Sequence, residues 1–373
     1  MKIGFCVDKT VTGGSERILL GIIDKLLEDG GYEIALFAHY TNSEKYFADY
    51  FQKNNIPITQ LKFPQSRPKG FFQKLKWRLA RRRWNKLNAS SIAAELNKCD
   101  VLIDFKNGVC YNSIKNIKNK IKILWLHTSF EFVRDVVAKN CDIKSYNKVV
   151  CVSKKLRESL IKAELSSPQK TLCVYNHNFM NFDDIAQKSK IPLNIDDKYF
   201  LSVSRLDKGK DITTLIRAYA KFAQRTNSPV KLYIIGDGPL AEKFKREAGT
   251  LLDTKIKFLG AINEPYNYMR NCEAFILSSQ SEGFGLVLLE AMISQTLTVS
   301  SNCPISPAEI LQNGKSGVLF ETGNFEELSG ILTRITDGTI DKKTIIENAC
   351  KSLTRYSGVN FGADLKRLFK KDN

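Results

Sequence analysis

Twice along its 373 residues, this sequence alternates short β-like apolar runs with helical stretches, and that repeated alternation is the strongest constraint on its fold. In the first half the runs are KIGFCV (2–7), YEIALFAH (32–39), VLIDF (101–105), IKILWLH (121–127), KVVCVS (148–153) and TLCVYN (171–176). After a polar segment the pattern restarts with YFLSVSR (199–205), KLYIIGD (231–237), KIKFLG (255–260), EAFILSS (273–279) and LTVSS (297–301). Parallel neighbours need a long crossover, so strand–helix–strand alternation predicts a parallel sheet covered by helices. The expected fold class is α/β, with two tandem units at 1–180 and 199–355. A linker at 181–198 joins them, and a C-terminal helix at 356–373 packs back on the first. Two units also suit the length, which exceeds what one core usually holds.

Composition narrows the class. No apolar run approaches the roughly 18 residues needed to span a bilayer, and MKIGFCV, followed at once by Asp8 and Lys9, reads as a first strand rather than a leader. Nine cysteines without a C-x-x-C pair suit reduced thiols in a cytoplasm better than a disulfide framework or a zinc site. The net charge of +18 is lopsided: residues 1–180 hold 31 Lys and Arg against 16 Asp and Glu, a net +15. No acidic residue occurs between Asp49 and Glu95, where FFQKLKWRLARRRWNK (71–86) concentrates the cations. Such a segment suits an anionic surface, lipid or nucleic acid.

Open parallel sheets bind ligands beyond the carboxyl ends of their strands, and the polar residues worth weighing lie there. Gly13 and Gly14 follow the first run, His127 closes IKILWLH, Arg205 closes YFLSVSR, and Glu282 lies just past EAFILSS. In SRLDKGKD, Arg205 and Lys210 precede a helix beginning near Asp211. Two cations and free helix amides suit a diphosphate, whereas the plain alternative is a solvated charged turn. In SEGFGLVLLEAM (281–292), Gly283 and Gly285 allow close backbone approach, with Phe284 and Leu286 at the start of an apolar helix. Two carboxylates, Glu282 and Glu290, bracket that helix and suit sugar and ribose hydroxyls; the alternative is a packed helix whose glutamates meet arginines elsewhere.

The segments SVSRLDKGKD, LYIIGDGPL, KFLG, SEGFGLVLLEAM and NGKSGVLF, in that order, resemble the family-four glycosyltransferases of the GT-B fold, and VTGGSER resembles their glycine loop. The likeness is strong over 198–335 and fragmentary before it. It implies two Rossmann-like domains facing an interdomain cleft and a retaining hexosyltransferase using a nucleotide sugar, most plausibly UDP-linked, as substrate, without cofactor. Arg205 and Lys210 would hold the donor pyrophosphate, Glu290 the ribose, and Glu282 the transferred sugar. His127 would stand near the donor sugar or phosphate, with Gly13, Gly14, Gly283, Phe284, Gly285 and Leu286 shaping the donor site. The chain departs from the family pattern at His177 and at ISP (305–307). No D-x-D sequence occurs, so no carboxylate-held metal is expected. Without the resemblance, His127 would read as a structural strand-end histidine, and Asp104 reads so in any case.

As a helix, the basic segment places Lys74, Arg78 and Arg81 on one stripe and Phe71, Leu75 and Leu79 on another, with Trp77 and Trp84 flanking the cations. That pattern fits an interfacial helix gripping anionic lipid and the pyrophosphate of a lipid-linked acceptor. The alternative is a solvated basic face over an ordinary packing stripe. The expectation is thus a cytoplasmic enzyme peripheral to the inner face of the membrane, acting in lipopolysaccharide or surface-glycan synthesis and binding no nucleic acid. The rivals are a nucleotide-sugar epimerase or hydrolase of the same fold, and a basic nucleic-acid binder, which lacks a known module here. An NAD-dependent oxidoreductase is disfavoured, because no G-x-G-x-x-G follows the first strand.

Overall fold

The computed structural model describes residues 1–8, 14–40, 45–62, 71–118, 120–175, 181–304, 306–356, 365 and 367–369. It divides into two compact units, Met1–Tyr175 with Phe361–Asn373, and Asn176–Asn360. The first unit carries β1 (Lys2–Val7), β2 (Glu33–Ala38), β3 (Ile58–Gln60), β4 (Val101–Asp104), β5 (Ile121–Leu126), β6 (Lys148–Cys151) and β7 (Thr171–Cys173). All pair in parallel, in the order β3-β2-β1-β4-β5-β6-β7. The second unit repeats the plan with β8 (Tyr199–Val203), β9 (Lys231–Ile235), β10 (Ile256–Gly260), β11 (Ala274–Leu277), β12 (Thr298–Ser301) and β13 (Val318–Phe320), ordered β10-β9-β8-β11-β12-β13. In each sheet the order reverses beside the first strand, between β1 and β4 and again between β8 and β11. Crevices at such switch points are where open α/β sheets bind ligands.

The central strands are buried throughout because helices cover both faces. In the second unit Phe200, Leu232 and Ile276 from the sheet pack with Leu215, Tyr219 and Phe222 of the helix Ile212–Thr226. Two strands, β3 and β13, have no counterpart among the sequence-predicted runs: each is a three-residue edge strand with a half-exposed face, too short to show a period. All nine cysteines are free thiols.

The segment 181–198 is not a free connector. Asn181 caps the helix Phe182–Ser189 by accepting from the Asp184 amide at 3.0 Å, and that helix buries Ile185. Farther on, Asp197 binds the Lys231 ammonium at 2.7 Å and the Tyr233 hydroxyl at 2.5 Å. The Lys231 hydrogen bond is the main reason its carboxyl is held down at about 2. A polar composition therefore hides a helix and an ion-pair anchor that belong to the second unit. Near the C-terminus, Leu365, Leu368 and Phe369 are buried in the first unit, where the Lys148 ammonium donates to the Arg367 carbonyl at 2.9 Å and Phe369 meets Tyr32.

Candidate active site

In the second unit the loops after β8 and β11, the two strands flanking the switch point, are stitched together. The Gln280 amide donates to the Gly209 carbonyl at 2.8 Å, and Ser278 Oγ donates to the Lys210 carbonyl at 2.9 Å. This brings Lys210 Nζ to 2.6 Å from Glu282 Oε1, and Ser279 Oγ donates to the same oxygen at 2.5 Å. Ser279 is itself fixed, its carbonyl accepting from Ser301 Oγ at 2.6 Å. Glu282 is only 8% exposed, and Lys210 supplies the counter-charge that a buried carboxylate requires.

Arg205 stands apart from this pair: 68% exposed, it forms an ion pair with Asp207 at 3.3 Å. Its loop is held tightly nonetheless. The Leu206 amide donates to the Asp237 carbonyl, and the Leu240 amide to the Leu206 carbonyl. The contact is so close that a Cβ on Gly236, whose φ is +140°, would lie 1.8 Å from the Ser204 carbonyl oxygen. Gly236→Ala is therefore expected to destabilise the unit by more than about 3 kcal/mol, because backbone must move on both sides. Equilibrium denaturation checks this, and a loss below 1 kcal/mol would mean that the two loops separate readily.

The two helix starts differ in a way the sequence conceals. At Ile212–Thr226 the cap residue Asp211 already accepts from the Thr214 amide at 3.4 Å and from Thr214 Oγ1 at 2.8 Å. A carboxylate thus occupies that end, contrary to the expectation of free amides for a phosphate. The helix Leu286–Ile293 begins after Gly285, which adopts φ +73°, and it has no side-chain cap. Apart from that of Leu288, which donates to the Gly285 carbonyl at 2.9 Å, its first amides are the ones open to an anion. Beside it lies Ser306, fully buried, whose hydroxyl has no hydrogen-bond partner among the described residues; a Cβ on Gly285 would stand 3.7 Å from it. Sequence reasoning noted this position only as a departure from the family pattern. Phe284 is buried edge-on against Tyr356, and Leu288, Leu289, Ala291, Met292 and Ile293 are buried. Gly283, Leu286 and Glu290 are half-buried.

In the first unit, His127 stands just beyond β5. Its amide donates to Asn107 Oδ1 at 2.7 Å, and its ring lies parallel to Trp125 and against Phe105. Burial, reinforced by the Lys106 charge, pushes the imidazole down to about 3. It is neutral at physiological pH. Because the folded value lies below the ordinary one, the unfolded state takes up the proton first, and this group's contribution makes stability fall as pH drops from about 6.5 toward 3. His127→Asn is expected to lose less stability than the parent between about pH 6.5 and 4, as read by denaturant titrations at each pH. An equal or steeper loss would contradict the neutral ring.

Lys106, following β4, pairs with Asp8 beyond β1 at 3.1 Å and with the buried Glu16 of the helix Gly14–Asp29. This cluster sits at the first sheet's switch point. Sequence reasoning passed over it, although Glu16 belongs to the VTGGSER stretch already singled out. Gly13 and His177 lie outside the described residues, and Gly14 opens the helix. Among the described residues no group of three or more His, Cys, Asp or Glu is placed to hold a metal ion.

Residues 183–352 match the family described as "Glycosyl transferases group 1". Over that region the chain is similar to the group 1 glycosyl transferases. Lys210, Glu282 and Glu290 all fall inside the matched residues. Among similar proteins is a Campylobacter jejuni "N-acetylgalactosamine-N,N'-diacetylbacillosaminyl-diphospho-undecaprenol 4-alpha-N-acetylgalactosaminyltransferase", 34% identical over 187 residues. That match covers 50% of this chain and 50% of the relative, so the chain spans about half the length of this relative. A second C. jejuni enzyme, a "GalNAc-alpha-(1->4)-GalNAc-alpha-(1->3)-diNAcBac-PP-undecaprenol alpha-1,4-N-acetyl-D-galactosaminyltransferase", is 23% identical over 94% of this chain and 92% of its own. The crystal structure of Anabaena HepE in complex with UDP-glucose covers 98% of both chains with a TM-score of 0.76 at 19% identity. The fold is therefore GT-B, two parallel-sheet α/β units.

Proposed function

We propose that this protein is a retaining, GT-B-type hexosyltransferase that moves a hexose or N-acetylhexosamine from a UDP-sugar to a lipid-linked glycan. The observation carrying this reading is the Lys210–Glu282 pair at a sheet switch point within the residues that match the group 1 family. An ammonium that can turn to a diphosphate lies next to a carboxylate that can accept sugar hydroxyls. Cleavage of the sugar–phosphate bond builds negative charge on the leaving UDP. Lys210, the uncapped amides of Leu286–Ile293 and Arg205 would stabilise it, and preorganised electrostatics of this kind usually supply the largest catalytic contribution. Glu290 would take the ribose and Ser306 a phosphate or sugar oxygen. The leaving phosphate would receive the acceptor's proton, leaving no need for a protein base, which accords with a neutral His127 serving as a hydrogen-bonding group.

The acceptor reading draws on the relatives, whose names specify undecaprenol-linked glycans, and on the basic helix Phe71–Asn97. In that helix Phe72, Leu75 and Leu79 are 78%, 52% and 59% exposed. Their spacing of three and four puts them on one face, and Lys76, Arg82, Arg83 and Lys86, also exposed, accompany them. The exposure of Leu75 and Leu79 favours the membrane reading over ordinary packing; the side chain of Phe71 lies outside the described residues. Lys74, Trp77 and Trp84 are instead half-buried, and the Arg81 guanidinium lies over the Trp77 ring, so these residues form a different face from the outward apolar stripe. An apolar stripe rimmed by cations suits the surface of an anionic membrane, here its cytoplasmic face; no helix among the described residues is long and apolar enough to cross one.

The test is a thermal-shift screen of UDP-sugars with EDTA present, followed by mass analysis of products on undecaprenyl-diphosphate-linked glycans. One UDP-sugar should raise the melting temperature, and its sugar should appear on the acceptor. Release of free sugar or an epimer irrespective of acceptor would support a hydrolase or epimerase instead.

A further inference from the structure

A second concavity lies at the amino ends of strands in the first sheet, opposite the ends that carry His127. A cavity of about 540 Å³ opens there, lined by Lys115, Lys118, Lys120, Lys122, Ser145 and Asn147. Lys120 immediately precedes β5 and Lys122 lies at its start, and 145–147 immediately precede β6. His127 marks the far end of β5, which at about 3.3 Å per residue is roughly 20 Å away. The cavity is therefore separate from the strand ends that carry the candidate chemistry.

Four lysines line this concavity, and among the described residues none of the four is in an ion pair. Their contacts are to neutral groups. Lys122 Nζ donates to the Lys115 carbonyl at 2.8 Å, and Lys115 Nζ sits 5.6 Å from the Tyr111 ring centre. The Lys122 amide donates to Asn147 Oδ1 at 2.9 Å, which holds the wall of the cavity in place. Burial also lowers the Lys122 ammonium from its ordinary value. Solvated surface lysines spread apart to reduce mutual repulsion. Here Lys120 and Lys122 are half-buried and line one concavity with Lys115 and Lys118, a concentration of like charge that attracts an anion.

We propose that this cavity binds a diphosphate or a pair of clustered phosphate groups. Lysines act on phosphate as point charges from several directions, and the volume suits a small phosphorylated group. The same chemistry is carried by a free phosphorylated metabolite and by phospholipid headgroups. The site is independent of the donor site proposed above.

The experiment is calorimetric titration of the full chain with inorganic pyrophosphate at low salt, with UDP in excess to fill the donor site proposed above. The parent should bind, Lys118→Gln/Lys120→Gln should bind about tenfold or more weakly, and the control Lys243→Gln, at an exposed lysine of the second unit, should retain the parent's affinity. Lys118 is exposed and Lys120 half-buried, so the double variant should fold, as circular dichroism would verify. No binding by the parent, unchanged binding by the double variant, or an equal loss in Lys243→Gln would overturn the proposal. Competition separates the sources. Displacement of pyrophosphate by phosphatidylglycerol vesicles, but not by phosphatidylcholine vesicles, would identify headgroups as the occupant, and lack of displacement a free phosphorylated compound.

Discussion

Replacing Lys210 by methionine is expected to lower sugar transfer by about 10²–10³-fold, the usual consequence of removing one preorganised group that stabilises charge in the transition state. Glu282→Gln should cost a similar factor, because the amide keeps the shape but loses the charge that Lys210 and the sugar hydroxyls meet. Each single change also disturbs the fold. With Lys210 gone, Glu282 is a buried carboxylate left, among the described residues, with Ser279 alone, and broken buried pairs cost about 3–5 kcal/mol. Lys210 is 24% exposed, which places the expected loss at the lower end. The double variant Lys210→Met/Glu282→Gln separates the two effects, since removing both charges leaves neither unpaired. Its stability should return to within about 1 kcal/mol of the parent while transfer stays as low as in the worse single variant. Recovered transfer in the double variant would reduce the pair to a structural salt bridge.

Leu75→Asp/Leu79→Asp should abolish binding to vesicles containing phosphatidylglycerol. Burial of a leucine in an apolar phase contributes about 1.5–3 kcal/mol, so losing two corresponds to at least about 10²-fold in partitioning, before the repulsion between new carboxylates and anionic lipid is added. Both side chains are more than half exposed, so the thermal unfolding midpoint should barely move. Vesicle flotation and a melting curve on the same sample decide the matter. Undiminished flotation would remove the helix from the membrane-binding account, and a collapsed melting curve would show that the stripe packs against protein after all.

Much of this was legible in the residues, for physical reasons. The central strands announce themselves because burial on both faces requires continuous apolar runs such as VLIDF and AFIL. The glycines of IIGDGPL mark a backbone approach that a Cβ would forbid, and Gly285 of SEGFG a left-handed backbone turn. What stayed hidden depends on three-dimensional partnership. Lys106 meets Glu16 across 90 residues of sequence, and nothing local in either segment signals it. Asp211 looks like any acidic residue before a helix, yet its carboxylate occupies amides that a phosphate was expected to use. Periodicity yields stripes on the basic helix without telling which faces outward: Arg81 lies over the Trp77 ring, as the spacing implies, but Trp77 and Trp84 are half-buried while Leu75 and Leu79 are exposed. The segment 181–198 read as a linker because its anchors, Ile185 and Asp197, are few among polar neighbours.

The central claim is that Lys210 and Glu282 divide one activated sugar between them, the cation taking the diphosphate and the carboxylate the saccharide. A crystal structure with a UDP-sugar tests it most directly. The account predicts that the 2.6 Å contact between the two side chains opens, with Lys210 Nζ reaching a phosphoryl oxygen and Glu282 a sugar hydroxyl. A nucleotide sugar bound elsewhere, with that ion pair intact, would contradict it.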